Sequence, residues 1–420
     1  MRVLEGNRAV NFAAERLLSR ASLSDPSVSK AAAKIVADVR RNGGQALRNY
    51  CEKFDGLGRE RELRVSEAEM KAALKAVSPE FVKAIRKAAA NIRRFAEWQK
   101  PKSWMRGMQP GLKVGQKVEP IASVGCYVPG GRYPLPSSLL MTVIPAQVAS
   151  VPLIQVASPR PANETLAAAA LLGVKAFYRM GGAQAIAAFA YGADSSRKRD
   201  EVLRVKKIVG PGNAYVTAAK KLVSFDCAID ILAGPTEAAV LAENGDARFY
   251  AADLVAQAEH DPDALVVFIS SNRKLAGQVA RTAKAMAGDN PIARESLERN
   301  AAALVVKDRQ AAVDLANAIA PEHVTIPKDR LDSISSAGSV FVGEYSPQSL
   351  GDYASGPNHT LPTVGAAAYR GGLSVLDFVK IITVQEVTKA GLKKIAPVVT
   401  TLAEAEGLKA HAESVRVRLR

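Results

Sequence analysis

Residues 121–131, IASVGCYVPGG, begin the pattern that decides the fold, in which short apolar runs alternate with Ala-rich stretches. The first run ends in a Gly/Pro turn at residues 129–131, and another apolar run starts at Leu153. Strands that alternate with helices of about 10 to 15 residues form βαβ units and largely parallel sheets. The sequence therefore predicts an α/β fold, and the number of strands fits two sheets better than one.

Several apolar runs after residue 120 have the length and composition of buried strands. They are Ile121–Val128, Leu153–Ala157, Ala176–Arg179, Lys207–Val209, Ala228–Leu232, Ala238–Ala242, Leu265–Ile269, Ala303–Val306 and Val340–Val342. The stretches between many of them predict helices. These are Glu164–Leu172, Ala183–Ala190, Ala214–Val223, Phe249–Glu259, Lys274–Met286 and Gln310–Ala318.

The two ends of the chain are predicted to be helical. Residues 1–100 carry apolar side chains at helical spacing, and Ser66 followed by Glu69 has the spacing of a capping box. A Pro/Gly-rich passage at 101–119 separates this region from the strands, and 386–420 forms a final helical segment.

Length and composition define a broad class. With 420 residues, 48% hydrophobic and 23% charged, the chain fits a globular protein of two or three domains and excludes a disordered chain. No apolar run approaches the roughly 18 to 20 residues that span a bilayer, and the first residues lack a signal-peptide core. Three scattered cysteines form no CxxC pair, so we expect a reducing cytoplasm.

The chain is strongly basic, with 57 Lys and Arg against 41 Asp and Glu, a net charge of +16. Its basic doublets, such as Lys206-Lys207 and Lys220-Lys221, are spread along the sequence, and aromatic residues make up only 5%. Nucleic-acid binding is therefore not expected. We interpret the charge as a solvated surface that attracts small anions.

Three Gly/Pro-rich turns are expected at the carboxyl ends of parallel strands, where ligands bind by default. They lie at 125–131, 210–213 and 234–237. None is a full dinucleotide fingerprint, because the turn GPGNAY lacks the third glycine and no acidic residue follows at the required distance. Tight turns between strand and helix explain them equally well.

Four histidines stand out, each with polar neighbours. Gln257 and His260 are three residues apart near a helix end, so they share a face and could hold a metal. Asp352 and His411 could complete an N/O ligand set, although a solvated helix end explains the Gln257 and His260 pair as well.

Glu322 and His323 are candidates for general acid–base chemistry, because an imidazole titrates near neutrality. The alternative is a surface glutamate beside a histidine that caps the preceding helix. Cys126 is a candidate nucleophile in its glycine-rich loop, but no neighbour in sequence would lower its pKa, and a buried small residue fits better.

Seven long motifs, read together, resemble those of histidinol dehydrogenases and occur in order from about residue 25 to 415. They are VGCYVPGGRYPLPSSLLMTVIPAQVA, RMGGAQAIAAFAYG, VGPGNAYVTAAKKLV, IDILAGPTE, DLVAQAEHDPDA, APEHVTI and AGSVFVGEYSPQSLGDYASGPNHTLPT. The resemblance implies two incomplete Rossmann-like domains with parallel sheets, and small helical N- and C-terminal segments swapped in a homodimer. The implied divisions are an arm at 1–22, a first domain at 23–126 with 233–373, a second domain at 127–232 with the NAD contacts, and a dimerisation segment at 374–420.

The resemblance also implies an activity. The family oxidises L-histidinol to L-histidine through bound L-histidinal, the final steps of histidine biosynthesis, with two NAD and one zinc per subunit. Glu322 and His323 match the catalytic pair, in which His323 takes the hydroxyl proton and Glu322 activates water. The zinc ligands match Gln257, His260, Asp352 and His411, the further substrate contacts Thr236, His359 and Glu406, and the NAD contacts Tyr127, Gln184 and Asn213.

Two rival interpretations stay open beside this one. A related zinc- and NAD-dependent enzyme could oxidise another small polyol or amino alcohol, for example a sulfonated diol. A basic nucleic-acid-binding protein on an inactive dehydrogenase scaffold is disfavoured, because all four histidines fall at family site positions. The segment 194–205 is longer than is usual in the family and is expected to be a surface insertion.

Overall fold

The computed structural model describes residues 1–20, 25–130, 134–195 and 200–420, with the backbone alone for residues 16–20. Within these residues lie two six-stranded sheets and one three-stranded sheet. All but one of the strand pairs in the two larger sheets are parallel. The predicted α/β class with parallel sheets is therefore confirmed.

The first sheet has the strand order β1-β12-β11-β10-β13-β14 and is parallel throughout. Its strands are β1 (Arg2–Glu5), β10 (Glu237–Leu241), β11 (Leu265–Ser270), β12 (Ala301–Val305), β13 (His323–Ile326) and β14 (Ser339–Val342). The central strands are apolar runs buried on both faces, as parallel strands covered by helices must be.

The second sheet has the order β2-β7-β6-β5-β8-β9. Its strands are β2 (Arg64–Val65), β5 (Ser123–Tyr127), β6 (Leu153–Ala157), β7 (Ala176–Tyr178), β8 (Lys207–Val209) and β9 (Ala228–Ile229). Gly125 in the central strand β5 is required by packing, since a Cβ there would lie 2.6 Å from the ring of Phe189.

A third, antiparallel sheet was not expected from the sequence. It has the order β15-β4-β3, with β3 (Trp104–Gln109), β4 (Leu112–Pro120) and β15 (Val379–Val387). The passage at 101–119 is thus mostly a hairpin, and the final helical segment begins after β15 rather than at 386. β3 is exposed along its whole length, whereas β4 is mostly half-buried and alternates apolar with polar residues at Leu112, Val114 and Val118. The Pro and Gly residues of this passage indicated a loop instead.

Fifteen α-helices lie in the described ranges. They are α1 (Asn7–Arg20), α2 (Pro26–Asp55), α3 (Glu67–Ala76), α4 (Pro79–Gln99), α5 (Pro136–Val148), α6 (Asn163–Leu171), α7 (Gly182–Tyr191), α8 (Ala214–Val223), α9 (Ala247–Ala258), α10 (Arg273–Met286), α11 (Pro291–Arg299), α12 (Arg309–Ile319), α13 (Gln348–Tyr353), α14 (Lys389–Ala405) and α15 (Lys409–Arg416). The predicted capping box is present, because Ser66 Oγ accepts from Glu69 N and the Glu69 carboxylate accepts from Ser66 N. No helix of the described ranges is long and apolar enough to cross a membrane.

The sheets divide the chain differently from the predicted domains. The predicted boundary at 126/127 falls inside β5, and helices α2 to α4 pack against α5 to α8 of the second sheet. The arm at 1–22 begins with a strand that pairs with β12 in the first sheet. Within the described residues, the helices of 23–126 thus pack with the second sheet. Helical periodicity identifies a helix but does not identify the sheet on which it packs.

Candidate active site

A cavity of about 210 Å³ lies between the two larger sheets. The second sheet contributes the segments that follow β5, β8 and β9, and the first sheet contributes the residues at the start of β10 and β13. The polar side chains that line it are Ser137, Ser138, Thr236, Gln257, His260, Glu322, His323, Asp352, Tyr353, His359, Thr360 and Thr363.

The two sheets present opposite ends to this cavity. Ligand sites of parallel sheets are expected at the carboxyl ends of strands, which holds for β5 and β8. In the first sheet, however, Thr236 directly precedes β10 and Glu322 directly precedes β13. The 234–237 turn follows β9 of the second sheet, as expected, and leads into the amino end of β10, so the reactive groups of the first sheet lie at the amino ends of its strands.

His323 is the first residue of β13 and is only 3% exposed, so it is not a surface cap of helix α12. Its Nε2 lies 3.3 Å from Asp352 Oδ1, and its Nδ1 lies 3.8 Å from Glu322 Oε2. The ring stacks on Phe341 with 5.8 Å between centroids. Burial acts to lower the pKa of His323, but the two carboxylates outweigh it and raise the pKa above its ordinary value.

Glu322 is buried and held by neighbours on β10, the strand paired with β13. Its Oε2 accepts from Thr236 Oγ1 at 2.5 Å and from Glu237 N at 3.1 Å. Burial raises the pKa of Glu322, although the charge of His323 and these hydrogen bonds act in the opposite direction. The carboxyl group is thus fixed beside the imidazole and favours holding a proton more than an exposed glutamate does.

Asp352 and His359 form a second pair of polar residues that line the cavity. Burial acts to raise the pKa of Asp352, but the hydrogen bond and charge of His323 outweigh it and lower the pKa. His359 Nδ1 lies 2.7 Å from the carbonyl oxygen of Asp352, so Nδ1 carries the donated proton. Burial lowers the pKa of His359, which leaves its Nε2 as an acceptor, 3.5 Å from Ser138 Oγ.

Three of the four predicted zinc ligands line the cavity. Gln257 is buried in the last turn of α9, His260 follows two residues after the end of this helix, and Asp352 lies on α13. Nitrogen and oxygen donors of these types suit zinc, so the residues present fit the metal. His411 is exposed on α15 and does not line the cavity of its own chain. Accordingly, no group of three or more His, Cys, Asp or Glu within the described ranges is arranged to hold a metal.

The predicted substrate contacts divide in the same way. Thr236 and His359 line the cavity, and Thr236 Oγ1 also lies 3.1 Å from Gln257 Oε1. Glu406 caps the carboxyl end of α14 and is exposed, away from the cavity of its own chain. The carboxyl-terminal segment therefore holds the two predicted zinc and substrate residues, His411 and Glu406, that its own chain leaves outside the cavity.

The predicted NAD contacts lie along the carboxyl edge of the second sheet. Tyr127 ends β5, and its hydroxyl oxygen accepts from Gly182 N at 3.1 Å. Gln184 is buried in the first turn of α7 and donates from Nε2 to Asp55 Oδ2 at 3.1 Å. Asn213 caps the amino end of α8 through its side-chain oxygen. Asp55 was not predicted from the sequence, because only the fold brings the end of α2 to this edge.

A buried ion pair supports the turn that carries Asn213. Lys220 is 2% exposed and donates from Nζ to Gly210 O at 3.0 Å and to the Asp230 carboxylate. The other oxygen of Asp230 accepts from Gly210 N at 2.6 Å. The interpretation of the basic doublets as solvated surface is therefore wrong for Lys220, whose charge instead fixes the 210–213 turn.

A polar network that sequence reasoning missed lies behind His323. Asp253 on α9 accepts from the Thr325 hydroxyl and from the backbone N–H of Gln348. Gln348, the first residue of α13, also donates from Nε2 to Thr325 Oγ1 at 3.1 Å. Burial raises the pKa of Asp253 to about 6. These bonds connect the helix of Gln257, the strand of His323 and the helix of Asp352.

Cys126 takes no part in the site. Its side chain is fully buried in β5, and burial raises the pKa of its thiol to about 12. A thiolate is the reactive form of cysteine, so this residue is not a nucleophile at neutral pH. The interpretation of Cys126 as a small core residue is confirmed.

Comparisons with known proteins agree with the motifs. The family model for histidinol dehydrogenase matches residues 18–419. The histidinol dehydrogenase of Methanothermobacter thermautotrophicus is 46% identical over 422 aligned residues, with 96% of both chains covered. That of Geobacter sulfurreducens is 41% identical and covers 98% of this chain and 99% of its own.

A solved structure supports the same relationship at the level of the fold. The crystal structure of histidinol dehydrogenase from Elizabethkingia anophelis superimposes with a TM-score of 0.89 and 36% sequence identity. The match covers 94% of this chain and 93% of that one. With its fold and nearly its full length in agreement, the chain belongs to the histidinol dehydrogenase family, whose members are NAD-dependent oxidoreductases.

Proposed function

We propose that this chain oxidises L-histidinol to L-histidine through bound L-histidinal, with two NAD reduced for each substrate. The observation that carries the proposal is the buried grouping of Glu322, His323 and Asp352 in one cavity with Gln257 and His260. Oxidising a primary alcohol to an acid needs two hydride removals and one addition of water. The cavity offers a base for the alcohol and a carboxylate for the water.

His323 acts as the base of the first oxidation. As the substrate carbon loses a hydride to NAD, the hydroxyl proton moves to the imidazole and a carbonyl forms. The buried contact with Asp352 orients the ring and stabilises the imidazolium that results. Stacking on Phe341 restricts the ring further.

Glu322 serves the second oxidation, in which water adds to the aldehyde before the second hydride leaves. Both described hydrogen bonds reach its Oε2, so we assign Oε1 as the oxygen that takes a proton from water. Thr236 and Glu237 N fix the carboxylate in place while the aldehyde remains bound. Retaining the aldehyde in the cavity protects it from side reactions.

Gln257, His260 and Asp352 supply three zinc ligands, and we propose that His411 of the partner subunit supplies the fourth. When bound, the zinc fixes the amino-alcohol end of the substrate through its Lewis acidity and keeps the reacting carbon aligned. Thr236 and His359 complete the contacts to the substrate, with Glu406 of the partner subunit at its imidazole end.

A homodimer with shared sites follows from this assignment, and exposed apolar side chains support it. Ile381 is 51% exposed, Val398 57% and Leu402 60%, all within the predicted dimerisation segment. Apolar side chains clustered on one exposed segment mark interaction sites. If this segment packs against a second copy of the chain, Glu406 and His411 lie at the interface. We then expect them to reach the cavity of the partner subunit.

Tyr127, Gln184 and Asn213 are the proposed NAD contacts, supported by their shared position at the carboxyl edge of the second sheet. We place the enzyme in the cytoplasm, where histidine biosynthesis has its NAD supply. Three buried cysteines without disulfides support a reducing compartment.

The test is spectrophotometric NADH production from L-histidinol, with and without a chelator. We expect two NADH per histidinol consumed, and a loss of activity on chelation that added zinc reverses. The related-enzyme alternative predicts no reduction with histidinol but reduction with a sulfonated diol. No reduction with either substrate by zinc-loaded enzyme would refute the proposed function.

A further inference from the structure

The polar network behind His323 repeats the arrangement of three active-site residues. Those residues, one on each of α9, β13 and α13, are Gln257, His323 and Asp352. The network lies on the same three elements, and we call it the support layer, which consists of Asp253, Thr325 and Gln348. None of these three is among the described residues that line the active-site cavity.

On both helices a support-layer residue precedes an active-site residue by four positions. Asp253 precedes Gln257 on α9, and Gln348 precedes Asp352 on α13. Residues four apart share a helix face and lie about 6 Å apart along the helix axis. The two helices therefore offset the support layer from the active-site residues by the same distance.

The strand between these helices carries a third pair of residues with a similar offset. Thr325 follows His323 by two positions on β13, so the two side chains point to the same face, about 6.6 Å apart. The order along the chain is reversed relative to α13, since Gln348 contacts Thr325 whereas Asp352 contacts His323. The support layer therefore lies beside the active-site residues on all three elements.

A directed chain of hydrogen bonds joins the support layer. Gln348 donates from Nε2 to Thr325 Oγ1 at 3.1 Å, and the Thr325 hydroxyl donates to the Asp253 carboxylate. Gln348 Nε2 also lies 3.2 Å from the carbonyl oxygen of Ala239 on β10. The side chains of Gln348 and Thr325 are buried, so a broken bond here would leave a polar group without a partner and away from water.

Helix α13, which carries Asp352, depends on the support layer for its first turn. The helix has 6 residues, and its N-cap residue, Pro347, provides no side-chain hydrogen bond. Asp253 instead accepts from the backbone N–H of Gln348, the first residue of the helix. A carboxylate at this position satisfies a free N–H group and interacts favourably with the helix dipole. Helix α9 thus holds the start of the helix whose other end carries Asp352.

Resting on the proposed zinc-dependent function, we propose that the support layer sets the distance between Gln257 and Asp352 and so determines the affinity of the metal site. Its members are positioning residues, because they act on the metal and the substrate only through the residues that line the cavity. The layer also holds Asp352 against His323, so it orients the proposed base. Hydrogen-bonded partners of metal ligands typically contribute about 10- to 100-fold in metal affinity or activity.

Metal affinity tests the proposal in the absence of substrate. In competition with a chromophoric chelator, Asp253→Ala should weaken zinc binding by about 10- to 100-fold and Thr325→Val by about tenfold. Thr325→Ser keeps the hydroxyl and should bind zinc within about threefold of the natural chain. The matched control is Asp246→Ala, which removes the side-chain cap of the same helix α9. It should lower the melting temperature and leave the zinc affinity unchanged.

Two further measurements separate positioning from a loss of stability. Co²⁺ bound in place of zinc should show an altered visible spectrum in Thr325→Val, because that spectrum reports the geometry of the ligands. At saturating zinc, Thr325→Val should lower kcat with L-histidinol by about tenfold, because small misplacements of reacting groups are costly. KM for NAD should not change, since the proposed NAD contacts lie on the second sheet.

Natural zinc affinity and an unaltered Co²⁺ spectrum in Asp253→Ala and Thr325→Val would overturn the proposal. An equal loss of zinc affinity in Asp246→Ala would overturn it as well, because general destabilisation would then explain the effect. If Asp253→Ala does not fold, the nearly isosteric Thr325→Val decides. If the natural chain binds zinc but reduces no NAD with L-histidinol, the proposed function fails, and the zinc affinities of the variants still decide the role of the support layer.

Discussion

Nε2 of His323 lies 3.3 Å from Oδ1 of Asp352, which joins the first residue of β13 to the short helix α13. The proposed base and a proposed zinc ligand are therefore in direct contact. Displacing the Asp352 carboxylate would therefore change both the contact to the proton acceptor and the metal site. Because of this contact, we assign the proton transfer and the metal site to this cavity rather than to the glycine-rich turns alone.

Removing the imidazole should abolish the first oxidation without removing the metal. We expect His323→Ala to lower kcat by about 10²- to 10⁴-fold, because a general base contributes that much. Zinc content, measured by inductively coupled plasma mass spectrometry, should hardly change. Near-native turnover in this variant would remove His323 from the mechanism.

The proposed set of zinc ligands predicts that the protein loses metal when either of two ligands, far apart in the sequence, is substituted. Asp352→Ala and His411→Ala should each lower bound zinc well below one per subunit, since each removes one of four ligands. Lys409→Ala, on the same helix as His411, is the control and should retain the metal. One zinc per subunit in both ligand variants would show that the ligand set is wrong.

Shared sites can be tested by mixing inactive subunits. Glu322→Gln and His411→Ala homodimers should both be inactive, whereas a purified heterodimer should regain about half of the wild-type activity. In the heterodimer one site combines the intact Glu322 of one chain with the intact His411 of the other. A heterodimer without activity would argue for sites built within one chain.

Breaking the buried ion pair beneath the 210–213 turn should destabilise the protein. Lys220→Met leaves Asp230 charged and buried, at a cost of about 3–5 kcal/mol in the free energy of unfolding. The exposed neighbour offers a matched control, because Lys221→Met should change the free energy by less than about 0.5 kcal/mol. Both are measured by urea denaturation, and equal effects would contradict the structural role of Lys220.

The network behind His323 predicts a pH-dependent stability. Burial raises the pKa of Asp253 to about 6 from an unfolded value near 3.8, so the folded state binds the extra proton between these limits. Stability should therefore fall as pH rises from about 4 to 6, by at most about 3 kcal/mol.

The difference in unfolding free energy between the natural chain and Asp253→Asn isolates this effect, because His323 and the other titrating groups are present in both. We expect the difference to change across pH 4–6 and to be constant above pH 7. A difference that does not vary with pH would show that Asp253 is not buried in this way.

Local sequence signals predicted the parts of the fold that depend on neighbouring residues. The runs of β5 and β6 and the capping residue Ser66 determine strands and a helix start by themselves. The hairpin of β3 and β4 was not predicted, because the Pro and Gly residues of 101–119 indicated a loop, whereas β4 pairs with both β3 and β15. Strand β13 was not predicted either, because its four residues are too few to show a pattern of apolar residues that indicates a strand.

The site was less accessible to pattern alone. Spacing suggested the Gln257 and His260 pair, but only the family resemblance connected it with Asp352, nearly a hundred positions later. Neither route found Asp253 or the burial of Lys220, because a charged residue on a helix gives no local sign of the partner that folding brings to it. Polar residues buried through long-range contacts are thus the main content that the structure adds.

The burial of the three thiols has a practical use. Cys51, Cys126 and Cys227 are enclosed, and burial raises the pKa of the last to about 11, so maleimide reagents should leave the native protein unlabelled. A single cysteine introduced on exposed α15 would then be the only labelled position. Spin or fluorescent probes placed there could measure subunit geometry without first removing any native residue.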